Sequence, residues 1–296
     1  MKTLNRKHIS SIWLICCLLL GVAGLAAGSF FDLPINQFLY SPDAFWAQLF
    51  AAAAPVPVFW GIGAAGFLII DVLRDGHNAI SGWIIGFVLL AVGPVYMAKS
   101  FMDEMAMNWI LAWIIGLLLS ELPALLYAWL MRNASRESKI RCIAILLIVC
   151  IGSMLIVQVV KRVFLRPRYF VMQENSALPF IPWYSPDRSV AANFNALYEM
   201  DHDFFRSFPS GHAQSITCLF LWALIPVYTQ KGSVDLTMAI ALILTVAGMV
   251  SRLVMGAHFL SDVSAGYLIT FLLFAICCWS FGLTRSHARV KDAAEE

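Results

Sequence analysis

The sequence predicts an all-α fold: a polytopic membrane bundle of about eight transmembrane helices. Three observations carry this prediction. Of the 296 residues, 60% are hydrophobic and 13% are charged, where a soluble domain carries about 25% charged residues. Mean hydropathy is +0.78, so the bilayer is part of the solvent of this chain. The charges are also spaced so that long apolar runs separate them. Together these features exclude a disordered chain, a soluble nucleic-acid binder and an ordinary cytosolic enzyme. The formal net charge of +2 is too small to imply an anionic partner, so the position of each charge matters more than the sum.

Segments 9–31, 44–70, 76–98, 142–160, 213–230 and 263–284 contain no Asp, Glu, Lys or Arg. Each is long enough to cross about 30 Å of hydrocarbon at about 1.5 Å per residue. The first follows Lys2, Arg6 and Lys7 as a signal peptide would, but it exceeds the roughly 7–15-residue apolar core of one. It reads as a retained helix. Segment 105–131 is interrupted only by Glu121. A carboxylate inside a span is a functional candidate; the alternative is a side chain facing a neighbouring helix near the kink that Pro123 causes. Segment 236–251 is short and borders Arg252, which can snorkel outward. The chain divides into motif-free helices (1–140), a core (141–285) and a tail (286–296). All seven cysteines lie in apolar runs and read as buried small hydrophobes.

Lysine and arginine set orientation. With the N-terminus inside, twelve of the twenty lie on the cytoplasmic side. Both termini are then cytoplasmic in a multi-pass cell-membrane protein. Against that bias, Lys161, Arg162, Arg166 and Arg168 crowd into eight outer residues, and anion binding is the natural reason.

Three segments at outer span ends carry chemistry. Residues 161–169 supply cations, with Lys161 and Arg168 foremost. Residues 208–212 read Phe-Pro-Ser-Gly-His and open a span. They offer the Ser210 hydroxyl, a Gly211 N–H that an anion can approach closely, and His212 as an acid. Helix N-termini also favour bound anions. In residues 251–262, His258 and Asp262 are four apart and share a helical face. The carboxylate can accept from imidazole Nδ1–H and leave Nε2 as nucleophile, while Arg252 offers a fork for phosphate oxygens. This is a phosphoryl-transfer constellation with extracytoplasmic placement.

These segments resemble those of the type 2 phosphatidic acid phosphatase superfamily, whose signatures are Lys-x6-Arg-Pro, Pro-Ser-Gly-His and Ser-Arg-x5-His-x3-Asp. The second and third match fully at 209–212 and 251–262; in the first, Tyr169 replaces the usual Pro, and Arg166-Pro167 is a second Arg-Pro two residues early. Arg168 is taken as the clamp. The resemblance covers roughly residues 141–285. It implies a membrane phosphatase acting at the outer face on phosphatidic acid, phosphatidylglycerol phosphate, a polyprenyl phosphate or diphosphate, or a phosphorylated glycolipid. It implies His258 as nucleophile, Asp262 as its orienting partner and His212 as acid, then base. Lys161, Arg168, Ser210, Gly211 and Arg252 would bind the phosphate. No metal or other cofactor is implied, and the partner is a membrane lipid rather than a nucleic acid. Alternatives are a lipid phosphotransferase using the same site and, from another class, an anion transporter.

The run Glu199-Met-Asp201-His202-Asp203 resembles metal ligands in composition but reads as a solvated loop. The 169–208 segment is forty residues long, beyond the usual connection of about 12–15. Its aromatic residues suit the membrane interface. It reads as a lid that selects the lipid, with Trp183 and Tyr184 as contacts; the alternative is a scaffold that only spaces the two motifs.

Overall fold

The computed structural model describes residues 7–74 and 78–285, with the side chains of Glu104 and Arg285 set aside. Lys2, Arg6, Arg289, Lys291 and the expected tail lie outside the described residues. The protein is 79% helical. Seven helical segments among the described residues are long and apolar enough to cross a membrane.

Helix α1 (Ser11–Leu39) is capped by Ser10, whose side chain accepts from Ile12 N–H. Helices α2 (Phe45–Ala53) and α3 (Val56–Leu73) meet at a bend at Ala54 and Pro55 and form the second crossing. Helices α4 (Ala79–Met105) and α5 (Trp109–Met131) complete the first half. Helices α6 (Arg136–Leu147) and α7 (Ser153–Phe164) form one rod through a π turn at Ile148–Gly152. Helices α8 (Tyr169–Glu174), α9 (Ser189–Asn193) and α10 (Asn195–Met200) build the expected long loop.

The expected span 213–230 is broken rather than regular. It comprises α11 (Gly211–Thr217), a 3₁₀ stretch (Cys218–Ala223) and α12 (Leu224–Thr229). The cause is local: Pro226 has no N–H to give the carbonyl four residues back, and the turns before it tighten. The three pieces still extend about 31 Å. Helices α13 (Val234–Val254) and α14 (Leu260–Ser280) close the bundle.

Strand β1 (Ile9–Ser10) pairs in parallel with β2 (Thr284–Arg285), so the first and last described residues meet at one end. Helix α1 runs about 43 Å from there, and the three signature segments lie at the opposite end beside its C-terminal turns. Cross-links tie the terminal end: Lys139 Nζ to Asp71 at 2.6 Å, and Trp13 Nε1 to Asp235 at 2.8 Å.

Helices α1 and α14 pack closely along a glycine face of α1. A Cβ at Gly21, Gly24 or Gly28 would fall 2.4–2.6 Å from Leu268, Ser264 or Ser261, so only glycine permits this approach. Asp32 and Asn36 continue the same buried face. Helix α1 is therefore integral to the bundle, as a retained helix requires. Glu121 has both carboxylate oxygens buried and, among the described residues, without a hydrogen-bond partner. They face Gly63 of α3 and Gly93 of α4, so this side chain points at neighbouring helices.

Candidate active site

The loop between α13 and α14 is folded by its own carbonyls. Arg252 O accepts from Ala257 N at 3.1 Å and His258 N at 3.3 Å. Gly256 has φ +65°, and a Cβ there would lie 2.6 Å from the Tyr40 ring; a side chain is barred on both counts. Tyr40, in turn, packs edge-on against Tyr169 at 5.2 Å.

His258 is fully buried. Its Nδ1 lies 2.7 Å from the Ser207 carbonyl. A carbonyl only accepts, so Nδ1 carries the proton. Nε2 is buried with no hydrogen-bond partner among the described residues, leaving its lone pair available. This corrects the expected His258–Asp262 hydrogen bond: Nδ1 and Asp262 Oδ2 are 3.8 Å apart. Asp262 is occupied elsewhere. Oδ2 accepts from Phe259 N at 2.8 Å, at the N-terminus of α14, and from Ser207 Oγ at 2.5 Å. Oδ1 accepts from Arg166 Nη1 at 2.5 Å. Asp262 therefore connects to the ring at one remove, through Ser207. Burial pushes the His258 imidazole down to about 3, so the ring is neutral at physiological pH.

The two arginines of the first segment have separate fates. Arg166 is buried and spent inside the protein: Nε donates to Ile181 O at 2.7 Å, Nη1 to Ser261 Oγ and Asp262, and Nη2 to Asp32 at 2.9 Å. Arg168 faces open space. Its Nε donates to Asp203 O at 2.8 Å, and its Nη2 pairs with the Asp203 carboxylate. Burial raises the Asp203 carboxyl, but Arg168 and Lys161 outweigh that and hold it below its ordinary range. Within the acidic run 199–203, Asp203 thus pairs with Arg168, and His202 lies 3.9 Å from Glu199.

Two adjoining chambers share Arg168, Asp203, His212 and Tyr96. The inner, about 260 Å³, is lined by Lys161, Arg168, Gly211 and His212. The outer, about 790 Å³, adds Arg252, Lys99, Phe170 and Phe204. The His212 and His258 rings are 6.3 Å apart. Ser210 lines neither chamber and caps α11, its Oγ accepting from Ala213 N at 3.2 Å; the hydroxyl keeps its own proton to donate.

The 169–208 segment is a packed cap with its own core, including Val171, Leu178, Ile181 and Phe205. Trp183 stacks on Phe208 at 5.6 Å and donates to Ser29 Oγ at 2.9 Å, and Tyr184 is exposed. The aromatics of this segment that reach the outer chamber are instead Phe170 and Phe204. Sequence reasoning also missed Ser207, Asp203, Asp32 and Asn36. Asn36 Nδ2 donates to His258 O at 3.0 Å. One signal pointed to the last two: both continue the glycine face of α1.

The family model described as the PAP2 superfamily matches residues 142–285. No curated protein and no solved structure matches the chain.

Proposed function

Starting from the membership of residues 142–285 in the PAP2 superfamily, we propose that this multi-pass membrane protein hydrolyses a lipid phosphate or diphosphate through a phosphohistidine on His258. The family makes it a phosphatase of lipid or related phosphate substrates. The observation that carries the finer reading is the His258 ring itself: Nδ1–H is committed to a carbonyl, Nε2 has no hydrogen-bond partner among the described residues, and the ring lies 6.3 Å from that of His212, which lines the cationic chamber.

The Nε2 lone pair forms a bond to phosphorus while the bond from phosphorus to the leaving oxygen breaks. His212, protonated beside the bound phosphate anion, gives that oxygen its proton and is left neutral. His212 then takes a proton from water, whose oxygen attacks phosphorus; the N–P bond breaks, and phosphate leaves. Lys161, Arg168 and Arg252, with the Gly211 N–H, hold the equatorial oxygens, on which charge builds, and Ser210 caps the helix start that presents Gly211. Asp262 supports the nucleophile through Ser207. The clamp is made of side chains and N–H groups, so the chemistry runs without a metal. By Lys/Arg placement the chambers face outward and both termini inward.

The test is phosphate release from a panel of lipid phosphates by purified protein, with His258→Ala as blank. We expect turnover that survives EDTA, is blocked by vanadate and vanishes in the blank. Turnover by the His258 variant would overturn the mechanism. A rate lost to EDTA and restored by magnesium or zinc would overturn metal independence.

A further inference from the structure

Asp32 lies on α1, outside the family-matched segment, yet it is buried against the site. Its Oδ1 accepts from Ser261 N at 2.9 Å, and its Oδ2 from Arg166 Nη2 at 2.9 Å and from Ser261 Oγ. Arg166 passes the link to Asp262, Asp262 to Ser207, and the Ser207 carbonyl holds His258 Nδ1–H. Every joint in this chain is a buried hydrogen bond. The geometry needs α1 at one position, which the glycine contact with α14 enforces.

The charge count is informative. One guanidinium is shared by two carboxylates, Asp32 and Asp262. A single carboxylate would balance Arg166, and buried ion pairs are weak stabilisers in any case. The second leaves the cluster net negative beside a ring that gains positive character when Nε2 bonds to phosphorus. Without Asp32, Arg166 would direct its full charge at Asp262 and weaken the field that favours the phosphorylated ring.

We propose that Asp32 is a positioning residue for phosphoryl transfer: it anchors Arg166 and Ser261 so that Asp262 and Ser207 hold His258 for attack, with a second carboxylate offsetting the Arg166 charge behind Asp262. This rests on His258 being the nucleophile.

The test uses full-length protein in detergent and a lipid phosphate substrate. Asp32→Asn keeps the side-chain shape and an acceptor for Ser261 N–H but removes the charge. Its kcat should fall at least about tenfold, as loss of a supporting partner typically costs roughly 10–100-fold. KM and the vanadate inhibition constant should stay within about twofold, because the clamp is untouched. In the Arg166→Lys background, Asp32→Asn should cost much less, since residues acting through one another are not additive. Wild-type kcat in folded Asp32→Asn, a change in KM alone, or full additivity with Arg166→Lys would overturn the inference. If Asp32→Asn does not fold, Ser261→Ala decides. It removes one link of Asp32 without removing a charge, and it should lower kcat by a smaller factor at constant KM; wild-type kcat there would overturn the inference. His258→Ala is run alongside. Turnover by that variant would overturn the nucleophile assignment as well, whereas a dead His258→Ala with fully active Asp32→Asn overturns this inference alone.

Discussion

In the inner chamber, all the cationic and imidazole side chains come from residues 142–285, whereas Pro55, Val58, Phe59 and Tyr96 of the preceding helices form an uncharged wall. Beneath the chamber the roles differ again: Asp32 and Asn36 of α1 hold Arg166, Ser261 and the His258 carbonyl, and touch no open space. One half of the chain supplies the cationic and imidazole side chains, and the other supplies an uncharged wall and buried partners behind them. A family match confined to residues 142–285 therefore describes the chemistry without the frame that holds it.

The sharpest way to break this comparison is at Arg166 and Arg168, two residues apart. Arg166→Ala would leave Asp32 and Asp262 as buried carboxylates without their cation, and breaking such a pair costs about 3–5 kcal/mol. We expect a large fall in thermal stability and little folded protein. Arg168→Ala removes a partner from Asp203, which is half exposed and can turn to water. Its melting temperature should change little, while kcat/KM and vanadate affinity fall by at least about tenfold, the loss of one charge-assisted contact of about 1.5–3 kcal/mol. Melting curves and vanadate inhibition check both. Equal stability losses would place the two arginines in the same role.

A smaller effect concerns the outer chamber, whose walls come from both halves: Tyr96 and Lys99 of α4, and Phe170 and Phe204 of the cap. Substituting any of these by Ala should shift the relative kcat/KM among lipid phosphates by roughly tenfold, the scale set by one packing contact, while a small soluble phosphate ester is little affected. Trp183→Ala, which disturbs the packing of the cap without reaching the chamber, should slow all substrates alike. Assays on two lipids and one soluble ester separate these outcomes.

The smallest effect is the pH dependence of stability. Burial holds His258 near 3, against an ordinary 6.5. The unfolded chain therefore binds this proton first as pH falls. The stability contributed by keeping the ring neutral is complete above about 6.5 and is lost between there and about 3. The melting temperature of wild-type protein should drop from pH 7.5 to 4.5 by more than that of His258→Gln. Parallel curves would show that the ring does not titrate as described.

The sequence made some of this legible and hid the rest for a physical reason. Lys161, Arg168, His212 and His258 were readable because each lies in a short segment whose spacing survives folding. The apolar spans were readable because water and lipid sort them by composition. Asp32 was not: its partners lie 134 and 229 residues away, and in sequence it looks like the charge that ends an apolar run. The acceptor for Nδ1 was misread for a related reason. Helical spacing brings Asp262 near His258, but that carboxylate also caps α14 and neutralises Arg166, and these partners take its lone pairs first.

The most direct measurement is a rapid acid-free quench of purified protein turning over a lipid phosphate labelled with ³²P, followed by mapping of the labelled peptide. The account predicts a label that is stable to base and labile to acid, lies on His258, persists longer once formed in His212→Ala because the water-activating step is slowed, and is absent from His258→Ala. A label on any other residue, or phosphate release from active protein with no labelled intermediate in either background, would contradict it.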